Sequence, residues 1–154
     1  MELSDILGPE NVFGPLKVQG KKRLLQEIAL GAKSALGLDE GNTFSALIER
    51  EALGPTGVGN GVAIPHARVK GVDKVHGLFY VLDQAIEFES VDRKPVDLVF
   101  ALFAPQKAGA EHLKALARVS RTLRSDDVCS KLRSARDAAA IHAILCDASE
   151  PKAA

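Results

Sequence analysis

The sequence predicts a single-domain α/β or α+β sandwich, and three observations carry that expectation. The chain has 154 residues, about one domain at roughly 100–200 residues each. Residues 96–104 (VDLVFALFA) are apolar at both parities: Val96, Leu98, Phe100 and Leu102 on one, Val99, Ala101 and Phe103 on the other. Such a strand is central and covered on both sides, here by helices. Helical periodicity precedes this apolar centre and returns after it, the order of a layered sandwich.

The elements follow in chain order. Regular structure is expected to begin after Gly20, where Leu24, Leu25, Ile28 and Ala32 recur at helical spacing and Gly37 suits a C-cap. Residues 39–53 read as a second helix, with Asn42 or Thr43 near its cap and Phe44, Leu47 and Ile48 on its buried stripe. A glycine-rich loop then leads into the apolar run Val62-Ala63-Ile64. Residues 75–82 and 96–104 are of strand length, with a short strand at 85–89 between them. After Pro105 the helical period returns on Leu113, Leu116, Ala117, Ser120 and Leu123, followed by helices at 128–132 and 138–145. The domain is read as 1–148, with a short disordered tail at 149–154.

Composition narrows the function classes. An apolar fraction of 46% suffices for a folded core, and 20 Lys and Arg against 20 Asp and Glu leave no net charge. A general nucleic-acid binder has a basic excess that this chain lacks. No apolar run approaches the 18 or so residues of a membrane span, and the start MELSDILGPE is acidic, so a cytoplasmic protein without a signal peptide is expected. Two cysteines, Cys129 and Cys146, fall far short of a disulfide framework or metal cluster. Charge is nevertheless uneven. In 105–136 eight bases (Lys107, Lys114, Arg118, Arg121, Arg124, Lys131, Arg133, Arg136) face three acids, whereas in 83–97 five acids face two bases. The basic stretch is either a solvated helix face or a docking surface for an acidic partner.

Chemistry concentrates in Gly57-Val58-Gly59-Asn60-Gly61-Val62-Ala63-Ile64-Pro65-His66. Pro65 fixes its own φ and pushes Ile64 into an extended conformation, so the chain reaches His66 stiffly. An oriented, exposed imidazole is partly neutral and nucleophilic near pH 7; the plainer reading is a turn ending in a surface histidine. A Walker loop is excluded because Gly54 and Gly59 are followed by Asn60-Gly61 with no lysine. A dinucleotide fingerprint is excluded because the glycines alternate strictly and follow a helix. His112 opens a helix just after the buried strand, where it either meets His66 or is an exposed first-turn residue. Arg50, seven residues before Gly57, either clamps a phosphoryl group through its planar fork or is a solvated helix-end cation. His76 and His142 read as ordinary, and no histidine pair has the spacing of a helical zinc site.

Taken together, Ala46-Leu47-Ile48-Glu49-Arg50-Glu51, the run from Gly57 to His66, Pro95-Val96-Asp97-Leu98-Val99-Phe100-Ala101-Leu102 and His112-Leu113 resemble the IIA proteins of the bacterial phosphoenolpyruvate-dependent phosphotransferase system, fructose/mannitol type (EIIA type 2). The resemblance spans residues 3–147 and is greatest to the nitrogen-regulatory IIA subgroup. It implies a mixed parallel/antiparallel sheet with helices on both faces. It also implies a phosphotransferase acting through a phosphohistidine on His66, with His112 and Arg50 neutralising charge on the transferring oxygens. Backbone N–H groups of the glycine loop are expected to add an anion nest, and no metal or nucleotide cofactor is implied. The implied partners are an HPr-like (NPr) phosphocarrier and regulatory target proteins, with neither nucleic acid nor membrane. No transport domain follows in this sequence, so regulation is expected over sugar uptake. A soluble fructose/mannitol uptake component and a binding module that never carries phosphate stand as the alternatives. One departure is that the family often has glycine after this histidine where this chain has Ala67, which is compatible with a negative φ.

Overall fold

The computed structural model describes residues 1–149, so the tail expected at 149–154 lies outside them except for Ser149. The described residues form a six-stranded mixed sheet flanked by five α-helices. The strands are β1 (Val12–Leu16), β2 (Gly57–Gly59), β3 (Val62–Ala63), β4 (His66–Val69), β5 (His76–Ile86) and β6 (Val96–Pro105). The helices are α1 (Lys21–Leu36), α2 (Glu40–Leu53), α3 (Ala110–Leu123), α4 (Asp126–Ser134) and α5 (Ala138–Ser149). None of these helices is long and apolar enough to cross a membrane.

The doubly apolar strand is indeed the centre. β6 pairs antiparallel with β5 on one side and parallel with β3 and then β4 on the other. Its alternate residues feed two cores. Leu98, Phe100, Leu102 and Ala104 pack with Ala115, Val119 and Leu123 of α3 and with α4 and α5. Val99, Ala101 and Phe103 pack with Leu24, Leu25 and Ile28 of α1 and Leu47 of α2. Each face thus removes a full row of side chains from water, the main favourable term in folding.

Several expectations change. β1 precedes the first predicted element; its Gly14-Pro15 pair obscures the strand pattern, and a sheet edge is where proline is tolerated. The glycine-rich segment is a hairpin, with β2 antiparallel to β3 across Asn60-Gly61, both at positive φ. Strand β5 runs through to Ile86, with a register shift after Val81 in place of a separate strand at 85–89. The cap of α2 is Asp39, whose carboxylate accepts from Asn42 N at 2.8 Å, and Ile48 lies exposed. In α3 the buried residues are His112, Ala115, Val119, Thr122 and Leu123, so Leu113 and Ala117 point outward instead of forming the inner stripe. A histidine and a threonine on the buried row disguise it as polar.

Candidate functional site

The site is built at the edge strand β4. Val62 and Ala63 of β3 pair with Leu98 and Val99, and His66 and Ala67 of β4 pair with Leu102 and Phe103. The register is unchanged, so β3 and β4 are two lengths of one strand along β6, broken at Ile64-Pro65. The break has a chemical result. Pro65 has no N–H to give, but its carbonyl accepts from Leu102 N at 2.9 Å. Ile64 N–H turns away to the Thr56 carbonyl at 2.9 Å, and the Ile64 carbonyl turns to the imidazole, lying 2.8 Å from His66 Nδ1.

A carbonyl can only accept, so Nδ1 carries the proton and donates. The other ring nitrogen, Nε2, accepts from Arg50 Nε–H at 3.1 Å. Those two bonds together require neutral His66 in a single tautomer. Burial lowers its pKa below the ordinary 6.5; the Ile64 carbonyl opposes this, the Arg50 charge adds to it, and the Glu51 charge opposes it. The Arg50 guanidinium is held from behind, since its Nη1 donates to the Gly54 carbonyl at 3.0 Å.

His112 comes from the opposite face of the sheet. Arg50 lies on α2, which packs on one side of β4 and β6, while His112 lies in the first turn of α3, on the other. The rings of His66 and His112 meet edge to face, with centroids 5.5 Å apart and planes at 78°. His112 is buried, and its Nε2 has no hydrogen-bond partner among the described residues. Burial first, then the charges of His66 and Arg68, lowers its pKa. A buried polar atom without a partner is costly. It suits a ligand that brings its own acceptors.

The structure therefore joins all three residues singled out in the sequence, with His66 half-buried and His112 buried instead of exposed. Ala67 lies within β4 and is not among the non-glycine residues at positive φ, as its replacement of glycine requires. The hairpin is not part of the site. Gly61 stands five strand residues from His66, on the order of 16 Å, and Asn60 N–H is already given to Asp92 at 3.0 Å, so Asn60 adds nothing to the expected nest. His76 pairs with Phe103 and His66 with Leu102, which puts them on opposite faces of the sheet. His142 Nε2 sits 2.9 Å from the Leu7 carbonyl, away from the site's partners. Sequence reasoning missed Ile64, Gly54, Glu51 and Thr56. Only the Arg50-Glu51 pair and the X-Pro stop hinted at them.

Comparison with known proteins agrees over nearly the whole chain. Residues 5–148 match the family described as phosphoenolpyruvate-dependent sugar phosphotransferase system, EIIA 2. The nitrogen regulatory protein of Bradyrhizobium diazoefficiens is 51% identical over 145 residues, covering 94% of this chain and 95% of that one. The crystal structure of nitrogen regulatory protein IIA-Ntr from Neisseria meningitidis superposes with a TM-score of 0.87 at 34% identity, covering 93% of this chain and 98% of that one. In fold alone the chain also resembles enzyme IIA mannitol of Escherichia coli, solved in complex with phosphorylated enzyme IIB mannitol, with a TM-score of 0.77 at 20% identity, covering 92% and 99% of the two chains.

Proposed function

Because the chain belongs to the EIIA type-2 family of the phosphoenolpyruvate-dependent sugar phosphotransferase system, we propose that it is a regulatory phosphoryl carrier. It takes phosphate on His66 Nε2 from the phosphohistidine of an HPr-like (NPr) carrier. Binding of target proteins then changes with its phosphorylation state, with no turnover of a free small molecule. The nitrogen regulatory relatives favour this output over sugar uptake. The complex formed by the mannitol protein favours docking against another phosphorylated protein.

One observation carries the reading: His66 is fixed by the Ile64 carbonyl as the Nδ1–H tautomer, leaving the Nε2 lone pair at the site. In the transfer, that lone pair attacks phosphorus and a new N–P bond forms. The N–P bond of the donor breaks, and its electron pair leaves with the donor imidazole. Nδ1–H stays on the Ile64 carbonyl throughout, where it shares the positive charge of the phosphorylated ring. Arg50 Nε–H passes from Nε2 to a phosphoryl oxygen, so a cation already in place meets the developing charge. His112 Nε2 donates to a second oxygen. Neutral in the empty site, His112 is pushed towards protonation by the incoming dianion, the reverse of the effect of Arg68.

The test is phosphorylation with phosphoenolpyruvate, the first enzyme of the system and its carrier. One phosphate per chain, acid-labile and alkali-stable, is expected on the wild type and none on His66→Ala. Undiminished labelling of His66→Ala would overturn the assignment.

A further inference from the structure

We propose that Glu51 is a positioning residue for the phosphoryl acceptor: the Lys21–Glu51–Thr56 cluster behind the site holds Arg50 and fixes the His66 ring so that Nε2 stays unprotonated. The proposal rests on the reading of His66 as the acceptor, but it concerns residues to which that reading gives no part.

Glu51 follows Arg50 at the end of α2, and its carboxylate points inward, with only 6% of the side chain exposed. A carboxylate so placed needs partners. One oxygen accepts from the Thr56 hydroxyl, and the other lies 2.9 Å from Lys21 Nζ and 3.3 Å from Thr56 N. Lys21, the first residue of α1, sits with its Nζ 4.7 Å from the centre of the Phe88 ring, so the ammonium is pinned by an aromatic face as well as by charge. Thr56 is itself buried. Glu51 thereby ties the start of α1, the end of α2 and the approach to β2 at one point.

The tie reaches His66 by two routes. The 51–56 turn presents the Gly54 carbonyl, which holds Arg50 Nη1 at 3.0 Å while Arg50 Nε reaches His66 Nε2. The same turn presents the Thr56 carbonyl, which takes Ile64 N–H at 2.9 Å and so aims the Ile64 carbonyl at His66 Nδ1. Both ring nitrogens of His66 are thus held by groups whose placement returns to one carboxylate. The charge acts as well, since Glu51 offsets the Arg50 cation felt at the ring. Without it, His66 faces an uncompensated arginine and becomes a weaker base and a weaker nucleophile.

The experiment uses Glu51→Gln, Thr56→Val and Thr56→Ser in the full chain. Transfer from the phosphorylated carrier gives kcat and KM, and ¹⁵N NMR of the His66 ring with pH gives its tautomer and titration. Glu51→Gln and Thr56→Val should each lower kcat about tenfold or more, with KM for the carrier within about twofold. Both should move the ring signals from pure Nδ1–H towards a mixture, and Glu51→Gln should also lower the titration midpoint of His66. Thr56→Ser, which keeps the hydroxyl, should restore rate and tautomer. Folded variants with wild-type kcat and ring signals would reduce Glu51 to a structural ion pair and overturn the proposal. Equal behaviour of Thr56→Ser and Thr56→Val would overturn it too, even were Glu51→Gln to unfold. A His66→Ala chain that still took label would instead sink the acceptor reading, while the ring signals would still decide the part played by Glu51.

Discussion

An imidazole whose Nδ1–H is committed to a carbonyl has one nitrogen left to offer, and in this chain that nitrogen faces Arg50 from one side of the sheet and lies beside His112 from the other. In the proposed transfer each supporting residue supplies a charged or charge-induced hydrogen bond to the phosphoryl group. Arg50→Ala and His112→Ala are therefore expected to slow transfer by about 1–3 kcal/mol each without abolishing it. Arg50→Lys should recover only part, because a single ammonium cannot span His66 Nε2 and the Gly54 carbonyl as the fork does. Single-turnover rates from a phosphorylated carrier check both expectations; wild-type rates for the two alanine variants would leave His66 to act alone. The pH dependence has a definite sign. His66 and His112 both have folded-state pKa values below the unfolded 6.5. Under about pH 6.5 the unfolded chain therefore binds more protons than the folded one. The contribution of these two groups to stability should be flat above 6.5, fall as pH drops from there through the two lowered values, and level off below them. Urea titrations over that range measure it, and His66→Ala/His112→Ala should flatten the slope.

At the level of elements, one broken strand decides the chemistry. The Ile64-Pro65 interruption leaves register intact on β6, and the Ile64 carbonyl, on the side of the strand away from β6, is given to His66. The hairpin before it has a different task. Gly61 has a φ of +80°, and a Cβ there would stand 2.5 Å from Arg133 Nη2 and 3.0 Å from Asp97 Oδ1. Those two side chains form a two-pronged ion pair that also holds the Asn60 carbonyl. Gly61→Ala is expected to cost about 1–2 kcal/mol for the left-handed backbone, with some more for displacing Arg133. The denaturation midpoint should fall with an unchanged m-value, while labelling of His66 per folded molecule stays at the wild-type level. Loss of labelling in folded Gly61→Ala would return the glycine loop to the site. The α3 helix shows how pattern reading slips at this scale. Taking Leu113 as an inner residue rotates the helix so that His112 faces water. The actual stripe buries His112 against His66 and leaves Leu113 67% exposed.

Across the whole molecule, zero net charge conceals a polar distribution. The outward face of α3 carries Leu113, Lys114, Ala117 and Arg121, continues to Arg124, and starts one residue from His112. Lys114 lies 3.8 Å from Glu111, the single acid on that helix. A partner covering His66 and setting acidic or apolar groups along this face would lose affinity when a dianion appears at its end. At least one target is expected to distinguish the phosphorylated from the unphosphorylated protein by about tenfold, roughly 1.4 kcal/mol. Affinity capture with wild-type, phosphorylated and His66→Ala baits reads this directly. Identical retained proteins on all three would favour a plain sugar-uptake carrier.

Residues close in the chain made much of this legible before folding. The two-parity run of β6 announced a sheet covered on both faces, because burial on both sides leaves every position from Leu98 to Ala104 apolar. The α1 period and Gly37 marked a helix and its left-handed end, which the structure shows at φ 71°. The Ala63-Ile64-Pro65-His66 run marked the imidazole, since proline acts on its immediate neighbours. The rest depended on partners far away in sequence. β1 is a strand only because β5 lies beside it, and the burial of His112 exists only because α3 packs on β6 where β4 begins. Likewise Glu51 reads as one more surface acid until Lys21 and Thr56 close around it. Periodicity and turn chemistry act through adjacent backbone, whereas burial, tautomer and charge compensation are set by what the folded chain packs against each group. The histidine proposed as acceptor was therefore visible in the sequence, and the contacts that fix its tautomer appeared only in three dimensions.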